Sequence, residues 1–418
     1  VRVIYDGVGS AATLPINYPD QLHARGILCR VFQPLLPVLS IHQNNRDHRK
    51  ICVIDGVTGF VSGLNMADEY IDRKERFGYW KDNALRLRGE AVWSLTVFFL
   101  TMWDHQNPRS DFRLFRPRTL PPLNTTGGIV VPYTDTPNPA DTVCADLHLQ
   151  MITKAKRYLY LTTPYLAIDE TITAALCTAA RSGVDVRIMT PHIPDKKVVF
   201  AVTQSNYPVL LEAGARIYEF TPGFIHSKTV VADDLYASVG SCNLDYRSFY
   251  LQFENGVWLC GDPAVLSVRD DFLQTLEVCQ EITLADCRTL PLFHRLLQSI
   301  YRCSRRCFNG TIQKPPGRAL LCQAVFLFFH WFLSRLSPVI SSPHPQPQSC
   351  EEAVPDGFAQ VHLALPLLAV VVQGKGDLGK GTAAAVELVE QLHHAGKALL
   401  LHQRLSIARH PCLEGGAG

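Results

Sequence analysis

A motif that occurs once in each half of the sequence constrains the fold of this chain more than any other feature. The first copy reads His48-Arg49-Lys50-Ile51-Cys52-Val53-Ile54-Asp55 and is followed by Ser62-Gly63-Leu64-Asn65. The second reads His226-Ser227-Lys228-Thr229-Val230-Val231-Ala232-Asp233 and is followed by Gly240-Ser241-Cys242-Asn243. The intervals from His to Lys, to Asp and to Asn are the same in both copies. Four residue types at fixed offsets arise by chance at about one in 10⁵ start positions, so the two copies indicate a duplicated unit.

The spacing of the motif also predicts a binding surface. A His and a Lys two positions apart on a strand point to the same face. A turn after the apolar strand then returns the Asn beside that pair. Two facing units would gather His, Lys and Asn around one anion, and the residues involved are His48, Lys50, Asn65, His226, Lys228 and Asn243. A phosphodiester suits this set, because lysines supply point charges and amides supply directed donors. An exposed strand edge explains one copy well, but it does not explain two in matched register.

The chain up to about residue 300 alternates between strand and helix patterns. The predicted strands are 26–32, 51–55, 58–62, 83–88, 157–162, 184–190, 229–232 and 237–239, and the predicted helices are 91–103, 141–156, 168–181 and 198–213. Alternation on this scale predicts an α/β fold. The segment 107–128, rich in Pro, Arg and Thr, is typical of a linker. We therefore expect one half at 1–123, which begins in the middle of a domain, and a second at 124–302.

The tail, residues 303–418, has no strand–helix rhythm that joins it to the earlier sheets, and we leave it unassigned. Its Ser/Pro-rich run at 338–347 predicts extended, flexible chain. The apolar stretch 319–333 is short for a membrane span and favours an interfacial helix. The glycine-rich run 374–382 resembles a P-loop, but too few residues follow it to form the sheet of a nucleotide-binding domain.

Composition narrows the possible partners. Lys and Arg number 40 against 38 for Asp and Glu, which gives a formal net charge of +2. This near-balance argues against a dedicated nucleic-acid binder. The 13 cysteines show no CxxC or CxxH spacing that would predict a metal site, so reduced thiols are the simpler interpretation.

The motifs and the residues that flank them resemble the phospholipase D superfamily and, within it, the bacterial cardiolipin synthases. The flanking segments that carry the resemblance are 44–47, 59–70, Tyr79-Trp80-Lys81-Asp82, Thr163-Pro164-Tyr165, 190–197 and 243–249. The resemblance covers about residues 1 to 300. The family usually has Gly where Ser62 stands, and its members generally begin with membrane-spanning helices that are missing here.

The resemblance implies two pseudo-symmetric halves, each a mixed sheet flanked by helices, with the active site at their interface. In this superfamily one motif histidine attacks phosphorus and the other protonates the leaving alcohol. We assign these roles to His48 and His226 respectively, although the near-symmetry allows the reverse. Lys50, Lys228, Asn65 and Asn243 would stabilise charge on the phosphate oxygens, so we expect no metal and no cofactor.

Each histidine also requires a group that holds its second ring nitrogen. We expect Glu254 to serve His226 and Asp82 to serve His48, with a solvated acid at a strand end as the alternative for either. Asp55 and Asp233 belong to the catalytic motif, but turn and packing roles suit them better than direct chemistry.

By the same resemblance the substrate is phosphatidylglycerol in the bacterial cell membrane, with the site on the cytoplasmic side and no nucleic acid bound. One lipid would donate its phosphatidyl group to the enzyme and release glycerol. The primary hydroxyl of a second lipid would then resolve the intermediate. A hydrolytic phospholipase D, another phosphodiesterase or nuclease, and a membrane-associated non-catalytic fragment stay open as alternatives. The apolar segment 92–103 could lie against lipid, although an ordinary buried helix explains it equally well.

Overall fold

The computed structural model describes residues 1–34, 45–105, 110–120, 127–138 and 142–289, together with the backbone of 368–372. The predicted interfacial helix at 319–333, the Ser/Pro-rich run and the glycine-rich run at 374–382 lie outside these residues. The predicted boundary between the halves at 123/124 lies outside them too and stays a prediction.

The first half combines short strands with a few helices. Its strands are β1 (Arg2–Asp6), β2 (Leu28–Phe32), β3 (Arg46–Asp47), β4 (Ile51–Ile54), β5 (Thr58–Ser62), β6 (Tyr79–Lys81) and β7 (Ala84–Arg88). Its helices are α1 (Gly7–Ser10), α2 (Tyr18–His23) and α3 (Ala91–Trp103), with 3₁₀ turns at Asp68–Ile71 and Phe112–Phe115. The predicted bounds of β5 and α3 match residue for residue.

The second half contains a longer run of alternating elements. Its strands are β8 (Ile129–Asp135), β9 (Tyr158–Thr162), β10 (Leu166–Ala167), β11 (Asp185–Pro191), β12 (Arg216–Phe220), β13 (Gly223–Ile225), β14 (Thr229–Ala232), β15 (Tyr236–Gly240), β16 (Leu244–Asp245), β17 (Gln252–Cys260) and β18 (Cys279–Ile282). Its helices are α4 (Val143–Lys154), α5 (Glu170–Arg181), α6 (Lys197–Ser205), α7 (Tyr207–Glu212), α8 (Tyr246–Tyr250), α9 (Ala264–Leu276) and α10 (Leu284–Thr289). The mixed sheets and flanking helices confirm the predicted α/β fold.

The main sheet of each half is mixed. In the second half the order is β18-β12-β11-β9-β14-β15-β17, and β8 also pairs with β17. Strands β9, β11 and β12 are parallel to one another. The pairs β9–β14, β14–β15, β15–β17 and β17–β8 are antiparallel. In the first half the order is β2-β1-β19-β4-β5-β7, where β19 is Leu368–Val372.

Strand β19 is unexpected, because we predicted no segment of the tail to join the earlier sheets. Its backbone runs antiparallel to β1 and parallel to β4, so it separates two strands of the first half. No local pattern in the tail predicts this pairing, because the paired strands are more than 300 residues apart in sequence.

The predicted helix 198–213 is wrong as a single element. The chain forms α6 and α7 instead, and α7 has Pro208 at its first turn. Proline lacks a backbone N–H and its ring clashes with the preceding turn. The periodicity of the apolar residues continues across this break, which is why the sequence pattern did not reveal it.

A hydrophobic core joins the two halves. Val53 and Val61 of the first sheet lie in the same cluster as Val239 and Val257 of the second sheet. Helix α3 also packs there, with Val92, Leu95, Phe99 and Leu100 at most 1% exposed. The hypothesis that segment 92–103 lies against lipid is therefore wrong, since these side chains form the core. Among the described residues no helix is both long and apolar enough to cross a bilayer.

Two short strand pairs cross between the halves and position the site. Strand β3 of the first half pairs in parallel with β17, and β6 of the first half pairs in parallel with β13. Because His48 directly follows β3 and His226 directly follows β13, both motif histidines lie at the interface.

Candidate active site

The backbone of each motif histidine is held by the opposite half. The amide of His48 donates to the carbonyl of Phe253 at 2.8 Å, and the amide of His226 donates to the carbonyl of Lys81 at 2.7 Å. Since these carbonyls belong to β17 and β6, the same short strand pairs that join the halves fix the two histidines.

Each histidine side chain is also held by a carboxylate from the opposite half. Nδ1 of His48 lies 2.9 and 3.0 Å from the two carboxylate oxygens of Glu254. Nδ1 of His226 lies 2.8 Å from Oδ2 of Asp82. The sequence predicted both carboxylates but exchanged their partners. Glu254 follows Phe253, which pairs with Asp47 just before His48, and Asp82 follows Lys81, which pairs with Ile225 just before His226.

The environments of the two carboxylates differ. Glu254 is completely buried and accepts a hydrogen bond from the hydroxyl of Ser241. Burial raises the pKa of Glu254 well above its usual range, and the positive charge of Lys50 opposes that change. Burial also raises the pKa of Asp82 to about 7, against the charge of Lys228 and a hydrogen bond from the Asn83 amide. In the sequence, only its place in the small-residue turn marks Ser241.

Gly63 and Ser62 form the turn beside this second carboxylate. A Cβ at Gly63 would lie 2.6 Å from Oδ1 of Asp82 and 3.1 Å from the carbonyl oxygen of His226, so a side chain there would displace the pair. Ser62, where the family usually has Gly, fits the turn because its hydroxyl accepts from the Leu64 amide at 3.1 Å.

The two motif lysines lie beside the histidines. Nζ of Lys50 donates to the carbonyl of His48 at 2.9 Å. Nζ of Lys228 donates to the carbonyl of His226 and lies 2.9 Å from its Nδ1. Both side chains are buried, and burial lowers the pKa of Lys50 to about 7 and that of Lys228 to about 8. An anion that enters the site would stabilise the charged form of both lysines and therefore raise both pKa values.

With no anion bound, the charged form of both histidines is disfavoured. Burial lowers the pKa of each well below 6.5, and the neighbouring lysine charges lower it further. The ring of His226 packs among Tyr70, Phe224 and Trp80, whose centroids lie 5.2, 5.8 and 5.9 Å away. With Nδ1–H donated to a carboxylate, the Nε2 lone pair of each ring is available to a substrate.

The side-chain amides of the two motif asparagines can act as hydrogen-bond donors to an anion. The amide of Asn65 contacts the hydroxyl of Tyr70 at 2.6 Å, and that of Asn243 contacts the hydroxyl of Ser248 at 3.2 Å. The Oδ1 atom of each is buried without a hydrogen-bond partner among the described residues. Rotation of each amide by 180° would let the hydroxyl donate to Oδ1, which leaves Nδ2 free to donate to a phosphate oxygen.

Asp55 and Asp233 do not join the site. The carboxylate of Asp233 accepts from the backbone amides of Lys156, Arg157 and Tyr158 at 2.7, 2.8 and 3.0 Å. Asp55 lies exposed in the corresponding turn, and both residues have positive φ, 53° and 58°. Five residues of extended chain, about 16 Å, separate each from its motif lysine. Their position agrees with the turn and packing roles that the sequence favoured over direct chemistry.

Metal coordination was a further question for this site. In the described part of the chain no three His, Cys, Asp or Glu side chains are grouped as metal ligands. Lys50 and Lys228 are the cationic groups that contact the two motif histidines.

The chain is similar in sequence to a known domain family and to several bacterial proteins. Residues 148–276 match the family described as "Cardiolipin synthase, PLD-like domain". The chain is 44% identical over 283 residues to an uncharacterized protein of Streptococcus mutans, covering 68% of this chain and 61% of that one. It is 41% identical over 306 residues to the cardiolipin synthase of Alkalihalophilus pseudofirmus, covering 72% of this chain and 60% of that enzyme.

A solved structure supports the fold. The phosphatidylserine synthase of Haemophilus influenzae superposes with a TM-score of 0.51 at 14% sequence identity, covering 75% of this chain and 89% of that one. Residues 148–276 thus match the PLD-like domain of the cardiolipin synthase family, and about 70% of the chain is similar in sequence to bacterial cardiolipin synthases. The chain spans about 60% of the length of the curated relatives that it matches.

Proposed function

We propose that this protein is a phosphatidyl transferase of the cardiolipin synthase type, which joins two phosphatidylglycerol molecules at the bacterial membrane and releases glycerol. The observation that carries the proposal is the paired site. Two histidines, each held by a carboxylate of the opposite half, lie beside two lysines and two asparagines. The similarity to cardiolipin synthases supports the lipid substrate.

The first step in this proposal forms a phosphohistidine. Because Nδ1 of His48 is engaged by Glu254, the attacking atom is Nε2. The side chain of His48 is 14% exposed against 7% for His226, so His48 offers the more open ring to an incoming phosphorus. The P–Nε2 bond forms as the bond to the glycerol oxygen breaks. His226 takes up a proton at Nε2 when the anionic phosphodiester beside it raises its pKa, and it gives that proton to the departing glycerol oxygen.

The second step reverses these roles. His226, now neutral, takes the proton of the acceptor's primary hydroxyl at Nε2. The new P–O bond forms as the P–N bond to His48 breaks, which restores the enzyme. No nucleotide is consumed, since one phosphodiester is exchanged for another.

Lys50, Lys228, Asn65 and Asn243 act on the non-bridging oxygens in both steps. Their donors face charge that grows as phosphorus becomes five-coordinate, so they favour the transition state over the ground state. The aromatic residues around His226 keep that half of the site dry, which strengthens these interactions.

Mass spectrometry of the products formed from phosphatidylglycerol vesicles tests the proposal. We expect cardiolipin and free glycerol in equal amounts, with phosphatidic acid a minor product. Water at about 55 M competes unless the pocket positions a lipid hydroxyl and excludes solvent. Phosphatidic acid as the main product would make the protein a hydrolase and end the synthase assignment.

A further inference from the structure

A third lysine outside the two motifs lies at the edge of the site. Lys196 directly precedes helix α6 (Lys197–Ser205). Its Nζ donates to the hydroxyl of Tyr165 at 3.3 Å and lies 5.0 Å over the ring of the same residue. It lies 3.9 Å from Oδ2 of Asp195, to which the Tyr165 hydroxyl donates at 2.5 Å. Tyr165 and Asp195 therefore hold the ammonium in place.

The backbone connects this group to the second motif. The hydroxyl of Thr163 donates to the carbonyl of Tyr165 at 2.8 Å and accepts from the amide of Leu244 at 3.1 Å. Leu166, which follows Tyr165, pairs with Leu244, which follows Asn243. Tyr165 thus borders the motif asparagine, and the lysine that it holds lies at the same edge of the site.

Charge effects agree with this placement. The positive charge of Lys196 helps to lower the pKa of both His48 and His226, so it acts on both halves of the site. Burial lowers the pKa of Lys196 itself, and the charge of nearby Arg247 adds to that effect, whereas Asp195 and Asp245 oppose it. The side chain keeps 26% exposure, so it is not sealed within the core.

The proposed reaction requires a second anion site. The acceptor phosphatidylglycerol carries its own phosphodiester, one glycerol away from the attacking hydroxyl, and this phosphate does not react. The motif lysines and asparagines are occupied by the phosphate being transferred. Within the described residues, Nζ of Lys196 has one hydrogen-bond acceptor, the Tyr165 hydroxyl, which leaves N–H donors for another anion.

We propose that Lys196, held by Tyr165 and Asp195, binds the unreacting phosphodiester of the acceptor lipid and thereby selects an anionic acceptor over water and neutral alcohols. This inference rests on the proposed function. In the second step the acceptor's hydroxyl proton passes to Nε2 of His226 while its phosphate stays on Lys196. Lys196 takes no proton and forms no covalent bond.

A competition between two acceptors tests this role. Full-length protein is given mixed micelles of phosphatidylglycerol with butan-1-ol, so that cardiolipin and phosphatidylbutanol form from the same phosphohistidine. Lys196→Gln should lower the ratio of cardiolipin to phosphatidylbutanol about tenfold to a hundredfold, the range expected for loss of one charged hydrogen bond. Lys196→Arg should restore much of the ratio, because it keeps the charge.

Lys197→Gln is the matched control, since Lys197 is the exposed neighbour on the same helix start. Its ratio should equal that of the unsubstituted protein. An unchanged ratio in Lys196→Gln, or an equal loss of both products, would overturn the inference while leaving the synthase assignment intact. If the unsubstituted protein makes phosphatidylbutanol but no cardiolipin, the proposed function itself fails.

Discussion

Asp82 and His226 belong to opposite halves of the chain, yet Oδ2 of Asp82 lies 2.8 Å from Nδ1 of His226. Glu254 makes the reciprocal contact with His48. Neither half therefore holds a complete histidine–carboxylate pair of its own. Separation of the halves would remove the carboxylate from both histidines at once.

The crossed carboxylates should be needed for turnover. We expect Glu254→Gln and Asp82→Asn each to lower kcat by about 10²–10⁴-fold, because the amide no longer fixes the ring tautomer or stabilises the protonated ring. Steady-state kinetics on folded protein measures this. Glu219→Gln is the matched control, since Glu219 is a buried acid that contacts Nδ1 of His192 at 2.8 Å outside the site. Near-normal kcat in both site variants would show that the carboxylates serve packing alone.

Chelation should leave the enzyme active. Lys50 and Lys228 supply positive charge in contact with the two motif histidines, so no step of the proposed reaction uses a divalent ion. Turnover after exhaustive EDTA treatment and gel filtration should equal that of untreated protein. Loss of activity that added Mg²⁺, Ca²⁺ or Zn²⁺ restores would contradict this reading of the site.

Affinity for a phosphodiester should weaken as pH rises. Lys50 and Lys228 have pKa values lowered to about 7 and about 8, so both are charged in acid and lose charge as pH passes through those values. The inhibition constant of dimethyl phosphate, whose charge does not change in this range, should rise about a hundredfold from pH 6 to pH 9, at about tenfold for each lysine. In Lys50→Arg the inhibition constant should change less with pH near pH 7, because the guanidinium stays charged. A constant inhibition constant in the unsubstituted protein would contradict the lowered pKa values.

The duplicated motif explains how much of the site the sequence revealed. Fixed offsets located His48, Lys50 and Asn65 and their counterparts, because the geometry of a strand, a turn and a second strand is local. The partners of the histidines were exchanged, because the crossing pairs β3–β17 and β6–β13 join segments far apart in sequence. No periodicity carries that information.

Other misses have the same physical origin. The tail strand β19 and the shared core around α3 are long-range associations, and a run of apolar residues does not reveal whether its contact is lipid or protein. Ser241 and Tyr70 contact site residues through single hydroxyls, and isolated hydroxyls have no sequence pattern.

Both motif histidines should be indispensable. We expect His48→Ala and His226→Ala each to reduce turnover by at least ~10³-fold. The double variant should cost little more than the worse single one, since the two residues act as a unit. Single-turnover assays with labelled phosphatidylglycerol measure these losses. Substantial activity in either single variant would exclude the two-histidine mechanism.

The most direct test of the central claim is to trap the intermediate. Protein mixed with phosphatidylglycerol is denatured with alkali within milliseconds and digested, and the peptides are analysed by mass spectrometry. We predict a phosphatidyl adduct, or its deacylated remnant, on the peptide that contains His48, absent from His48→Ala and formed more slowly in His226→Ala. An adduct on His226 would reverse the assigned roles. Turnover with no adduct on either histidine would contradict the account.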